Sequence, residues 1–218
     1  MTDLKNIKLH YFTIENSNTI GRGEYVRLLL EDAGVEYEYV RHTFAEWKDH
    51  KQKLLDEKIR DPTMPYVTID GKYYSKTVPL MRFFSNKLNK YEGSNADEVQ
   101  LLDAYADMIM DWSTKWACTV FGSFTEDFGK KYKEETGPTY YKSFNDILSD
   151  TKGPFLLGET ITYPDFALYH VMEDDSNVTF DAKAYPHLNA FAFPYIATFV
   201  KAVQDRPNLK AYFASDRK

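Results

Sequence analysis

Pro62-Thr63-Met64-Pro65-Tyr66-Val67-Thr68-Ile69-Asp70-Gly71-Lys72-Tyr73-Tyr74-Ser75-Lys76-Thr77 contains two short runs of β-branched and aromatic residues on either side of Asp70-Gly71. A type I′ turn needs positive φ at both central residues, and Asp-Gly tolerates this, so the two runs predict a β-hairpin. Pro65 falls where a strand opens, a position that needs no ladder N–H. Thr77 predicts the N-cap of a helix over 78–88, with Pro79 in the first turn, where its missing N–H costs no intrahelical bond.

Upstream of the hairpin, residues 7–13 alternate with period two, so Ile7, Leu9 and Tyr11 share one face of a first strand. A helix is expected from about Arg22, closed by Gly34. Residues 35–42 alternate again as a second strand, and the charged segment from Phe44 to about Lys58 reads as irregular helix with loop. The order is β-α-β-α-β-β-α, with the helix-joined first two strands parallel and the hairpin antiparallel. Tyr91 to Ala96 is linker by composition. Beyond it the pattern is helical: about 97–124, about 129–149, 163–175, and two or more helices between 187 and 215. An α/β half followed by an all-α half implies two domains, 1–90 and 96–218.

Composition narrows the function. The 27 basic and 33 acidic residues give a net charge of −6, which argues against nucleic-acid binding driven by a basic face. No apolar run reaches the roughly 18–20 residues of a membrane helix. The N-terminus lacks the apolar core of a signal peptide, so a cytoplasmic location is expected. The single Cys118 excludes an intramolecular disulfide and any dithiol motif; it is expected mid-helix as a buried thiol. His10, His42, His50, His170 and His187 show no metal-ligand spacing, so no metal is expected. Thr162-Tyr-Pro-Asp165 before an apolar run reads as a capping box with a folding role.

Several motifs in order carry a resemblance: Leu9-His-Tyr-Phe, Gly21-Arg-Gly-Glu-Tyr-Val-Arg-Leu-Leu-Leu, Met64-Pro65, Ile69-Asp-Gly-Lys, Lys76-Thr77, Leu156-Leu-Gly-Glu-Thr-Ile-Thr-Tyr-Pro-Asp-Phe-Ala and Arg206-Pro-Asn-Leu-Lys-Ala-Tyr. Over nearly its whole length the chain resembles the cytosolic glutathione S-transferases of the tyrosine-type classes, with the sigma class favoured. The resemblance implies a thioredoxin-like N-terminal domain that binds glutathione. It also implies an all-helical C-terminal domain that contributes the electrophile pocket and the interface of a homodimer. The implied activity is attack of the glutathione thiolate on small apolar electrophiles, a detoxification chemistry. Glutathione serves as co-substrate and no cofactor is needed. The alternatives are a sigma-like glutathione-dependent isomerase or peroxidase, and a non-enzymatic ligand-binding or crystallin-like protein.

The resemblance also implies residue roles. Tyr11 donates a hydrogen bond to the glutathione sulfur and favours its charged form; Ser17 and Thr19, in a loop longer than the family pattern, compete for this part. Arg22 assists electrostatically. A cis peptide at Met64-Pro65 leaves the Met64 main chain to pair with the cysteinyl group. Lys76 and Thr77 hold the γ-glutamyl carboxylate, although Lys76 departs from the Gln or Glu usual there. Trp47, with Lys51 or Lys53, meets the glycine carboxylate. Asp103, or Asp107 one turn on, reaches the γ-glutamyl ammonium across the dimer. Phe12, Met108, Ile109 and Trp112 line the electrophile pocket.

Overall fold

The computed structural model describes residues 4–15, 19–122, 125–178 and 193–217, so Ser17 and His187 lie outside it. The chain forms two compact units. The first runs from the N-terminus to Lys90 and takes in the residues from Pro207 onward; the second is Tyr91–Arg206.

In the first unit the order is β1 (Ile7–Phe12), α1 (Gly23–Ala33), β2 (Glu38–His42), α2 (Phe44–Asp56), β3 (Tyr66–Ile69), β4 (Lys72–Ser75) and α3 (Thr77–Leu88). The sheet order is β2-β1-β3-β4, with β1 parallel to β2 and antiparallel to β3, and β3 antiparallel to β4. This is the thioredoxin-like arrangement the resemblance implies. Asp70 and Gly71 both have positive φ, 48° and 80°, as the hairpin turn requires.

Three local expectations change. The second strand starts at Glu38 rather than Val35, because the helix end takes the amide: Val35 N donates to Leu30 O and Gly34 N to Glu31 O. The segment after β2 is regular helix. Thr43 Oγ1 accepts from Glu46 N, and the Glu46 carboxylate accepts from Thr43 N, a full capping box written in the sequence as Thr-Phe-Ala-Glu. Thr77 is the first helical residue of α3 and not its cap; Lys76 holds the cap position with φ 72°.

The second unit contains α4 (Ala96–Val120), α5 (Glu126–Lys131), a π-helical turn over Tyr132–Thr136, α6 (Gly137–Ser149), α7 (Tyr163–Val178) and α8 (Pro194–Gln204). The helix expected over 129–149 runs without a gap in helical backbone, but it carries a π-helical turn, because Pro138 has no N–H and its ring clashes with the carbonyl four residues back. The chain loosens just before it, and Gly137 N reaches Tyr132 O, five residues back. The capping box forms as expected at α7: the wholly buried Asp165 carboxylate accepts from Thr162 N and Thr162 Oγ1, and also from Leu156 N. Cys118 is half-buried in the last turn of α4, not mid-helix. No helix among the described residues is long and apolar enough to cross a membrane.

The last helix, α9 (Pro207–Phe213), falls in the first compact unit. A buried carboxylate explains this. Glu24 in α1 is fully buried and accepts from Arg27 Nη1 at 3.1 Å, from Tyr212 Oη at 2.8 Å and from Arg217 Nη2 at 2.7 Å. A charge in that setting is tolerable only with such partners. Replacing Glu24 by Ala leaves the buried Arg27 charge without its counter-ion and the Tyr212 phenol without its carboxylate acceptor. The expected cost is about 3–5 kcal/mol of stability, read as a lower urea midpoint; a midpoint unchanged from wild type would show that the tail is held by other means.

Candidate active site

The sheet register gathers the expected site residues of the first unit at one edge. β1 and β2 run parallel with Phe12 opposite His42, so Tyr11 and the start of α2 lie at the same end. β3 begins there too, with Tyr66 paired to His10 on one side and to Ser75 on the other. Pro65 and Lys76 therefore flank the same pair of strand ends. Tyr11, Trp47, Met64, Pro65, Lys76 and Thr77 all sit at this edge.

Tyr11 is buried, and its phenol oxygen accepts from Arg22 N at 2.8 Å. Its ring lies against two glycines. A Cβ at Gly23 would come within 2.7 Å of the ring, and one at Gly21, where φ is 78°, within 2.9 Å of the phenol oxygen. The Gly-Arg-Gly sequence thus lets the main chain close over Tyr11 and point an amide at its oxygen. Thr19 is also buried, and its hydroxyl accepts from Gly21 N at 2.9 Å.

The Met64-Pro65 peptide is cis, as expected. Opposite it, Lys76 holds a positive φ that side chains other than glycine rarely adopt. Its ammonium pairs with Asp61 at 2.6 Å, and this ion pair holds the exposed Asp61 carboxyl below its usual range. Asp61 is a partner that the sequence reading did not identify. Past Lys76, Thr77 is buried at the first position of α3. The first main-chain N–H groups of a helix lack intrahelical acceptors, and Pro79 contributes none, so Thr77 and Val78 are the donors here.

On α2, Trp47 is half-buried, with its ring edge-on to Phe12, whose centroid is 5.6 Å away. Since α2 is regular, Lys51 at i+4 shares the face of Trp47, and Lys53 at i+6 points elsewhere. The electrostatics agree: Lys51 acts on Asp61, whereas Lys53 acts on His50.

In the second unit, the Tyr163 phenol donates to Asp103, while Asp107 is exposed one turn on. Met108 is half-buried, but Ile109 and Trp112 are fully buried. These two differ from the expected pocket lining. Trp112 Nε1 donates to Tyr132 Oη at 2.8 Å, and that hydroxyl donates to Asp175 at 3.0 Å, so the indole is fixed inside the core. Aromatic residues at helical spacing do not reveal from sequence which face of α4 they occupy.

His10, His42 and His50 are dispersed in sequence, yet their ligand nitrogens all lie within 4.8 Å of one another.

Comparison with known proteins accounts for the architecture. The family model for the glutathione S-transferase N-terminal domain matches residues 8–76, and that for the C-terminal domain matches residues 110–216. Glutathione S-transferase P 10 of Caenorhabditis elegans is 28% identical over 94% of this chain and 89% of its own. The solved structure of NaGST-2 has a TM-score of 0.77 at 26% identity and covers 98% of both chains. A monomeric glutathione S-transferase of the hookworm Necator americanus, Na-GST-3, has the same fold at 24% identity and a TM-score of 0.76, covering 98% of this chain and 99% of its own. The chain belongs to the glutathione S-transferase family.

Proposed function

We propose that the edge built from Tyr11, Trp47, Lys51, Asp61, Met64 and Thr77 binds glutathione and holds its sulfur as a thiolate for attack on small apolar electrophiles. The observation that carries this reading is the bond from Arg22 N to the Tyr11 phenol oxygen. A phenol that accepts from the main chain is polarised and donates more strongly, and donation to sulfur favours the charged form. Lowering the thiol pKa by two units takes about 2.7 kcal/mol of preference for the thiolate. One oriented O–H in a buried site, helped by the Arg22 charge, can supply much of this. The Thr19 hydroxyl has a main-chain amide to accept from and ranks second.

The rest of glutathione follows from its charges. The γ-glutamyl carboxylate fits the N–H groups of Thr77 and Val78, where the α3 dipole favours an anion. Lys76 cannot accept from the γ-glutamyl ammonium, but Asp61, paired to it, supplies a carboxylate at that corner. The Met64 main chain pairs with the cysteinyl group. Trp47 Nε1 and Lys51 take the glycine carboxylate, and Lys53 does not share their face. Half-buried Phe12, at the end of β1, fits an apolar second substrate. Asp103, or exposed Asp107 one turn on, fits a role across a homodimer interface. A cytoplasmic enzyme that needs no further cofactor fits this chemistry.

Replacing Tyr11 by Phe is expected to raise the apparent pKa of the bound thiol by about two units and to lower kcat/KM below that pKa about 100-fold. The pH–rate profile with a chromogenic electrophile measures both. If Tyr11→Phe matched wild type and Thr19→Ala lost activity, Thr19 would be the thiolate partner. For Lys51→Ala the expected change is a five- to tenfold rise in KM for glutathione with kcat retained, roughly 1–1.4 kcal/mol of a partly exposed charged contact. Lys53→Ala should stay within about twofold of wild type, and the reverse order would exchange the two lysines. Sedimentation at micromolar concentration is expected to give a dimer; a monomer, as in Na-GST-3, would remove the cross-subunit part for Asp103 and Asp107.

A further inference from the structure

We propose that His10, His42 and His50 form a binding site for one divalent transition-metal ion, Zn²⁺ in the first place, which ties α2 to the sheet. The site lies on the sheet face opposite Tyr11, and the proposal is independent of the glutathione reading.

The register brings the three imidazoles together. His10 and Phe12 alternate with Leu9 and Tyr11 along β1, so His10 shares a face with His42 at the end of β2 and with Tyr66, its direct partner on β3. α2 covers this face and contributes His50, whose Nε2 lies 2.7 Å from Tyr66 Oη. The rings form a compact stack: His10 lies 4.2 Å from Tyr66 and 5.3 Å from His42, and His42 lies 4.4 Å from His50.

Three features of this stack suit an ion. A tetrahedral site with Zn–N bonds of about 2.0–2.1 Å places its nitrogens roughly 3.3 Å apart. His10 Nδ1 and His42 Nε2 are already 3.0 Å apart, and the third ligand atom is within 4.8 Å, a gap that side-chain rotation closes. Next, hydrogen bonding satisfies the group only in part. Two neutral imidazoles facing each other share one proton, and the other nitrogen of His10, Nε2, is buried without a hydrogen-bond partner. Last, the donor set is all imidazole nitrogen. Three imidazoles suit Zn²⁺, Cu²⁺ or Ni²⁺ over Mg²⁺ or Ca²⁺, and half-exposed His42 and His50 leave a side open for water as fourth ligand.

The test uses the full chain, free of any affinity tag, stripped with a chelator and kept free of glutathione and other thiols. Titration with Co²⁺ is followed by its visible absorption, and Zn²⁺ is then added in competition. One equivalent of tetrahedral Co²⁺ per chain, displaced by Zn²⁺, is expected. His42→Gln and His50→Gln alter half-exposed side chains and should keep the fold by circular dichroism, and each is expected to weaken binding about 100-fold or more. His10→Gln is avoided as the main variant because that ring lies in the sheet. The absence of stoichiometric binding would overturn the site. So would binding unchanged in the His42→Gln, His50→Gln double variant, or a thiolate-to-cobalt band, which would place the ion on Cys118.

Discussion

The pairing of Tyr66 with His10 on one side and Ser75 on the other is the constraint on which the first unit depends. It sets β3 antiparallel to both neighbours, so the chain enters at Pro65 and leaves at Lys76 along one edge. β1, parallel to β2, delivers Tyr11 and the start of α2 to that same edge. A one-residue slip of β3 would exchange its two faces, sending Tyr66 into the α1 side and Val67 onto α2. Register therefore brings the proposed glutathione edge to one end of the sheet and the histidine cluster onto the face that α2 covers.

Where the sequence carried a local rule, the fold was legible in it. Alternation marked β1, Asp70-Gly71 marked the hairpin, and Thr162-Tyr-Pro-Asp165 marked the start of α7. The departures are cases where a local rule met a competing one. The amide of Val35 closes α1, so β2 begins later than its alternation suggests. Pro138 removes a donor from an otherwise continuous helical pattern and leaves a π-helical turn before it. Thr43-x-x-Glu46 was a readable signal for a regular α2, and it also decides which lysine shares a face with Trp47.

The site divides in the same way. Tyr11, Met64, Pro65 and Thr77 are legible because motif and strand order place them together. Trp112 and Ile109 were not, since a helix pattern does not say which apolar face becomes core, and a hydrogen bond to Tyr132 holds Trp112 inside. Asp61 and the three histidines were illegible for another reason. Their relation is made by side chains that meet across separate elements, and no spacing in the chain encodes it. Glu24 belongs with them: its partners Tyr212 and Arg217 come from the far end of the sequence, and this long-range bonding draws α9 into the first unit.

A crystal structure of the protein with glutathione bears most directly on the proposed edge. The account predicts the sulfur within hydrogen-bonding distance of Tyr11 Oη and the γ-glutamyl carboxylate on the amides of Thr77 and Val78, with the glycine carboxylate beside Trp47 and Lys51. A sulfur on Thr19, or a ligand bound away from the Pro65–Lys76 edge, would contradict it.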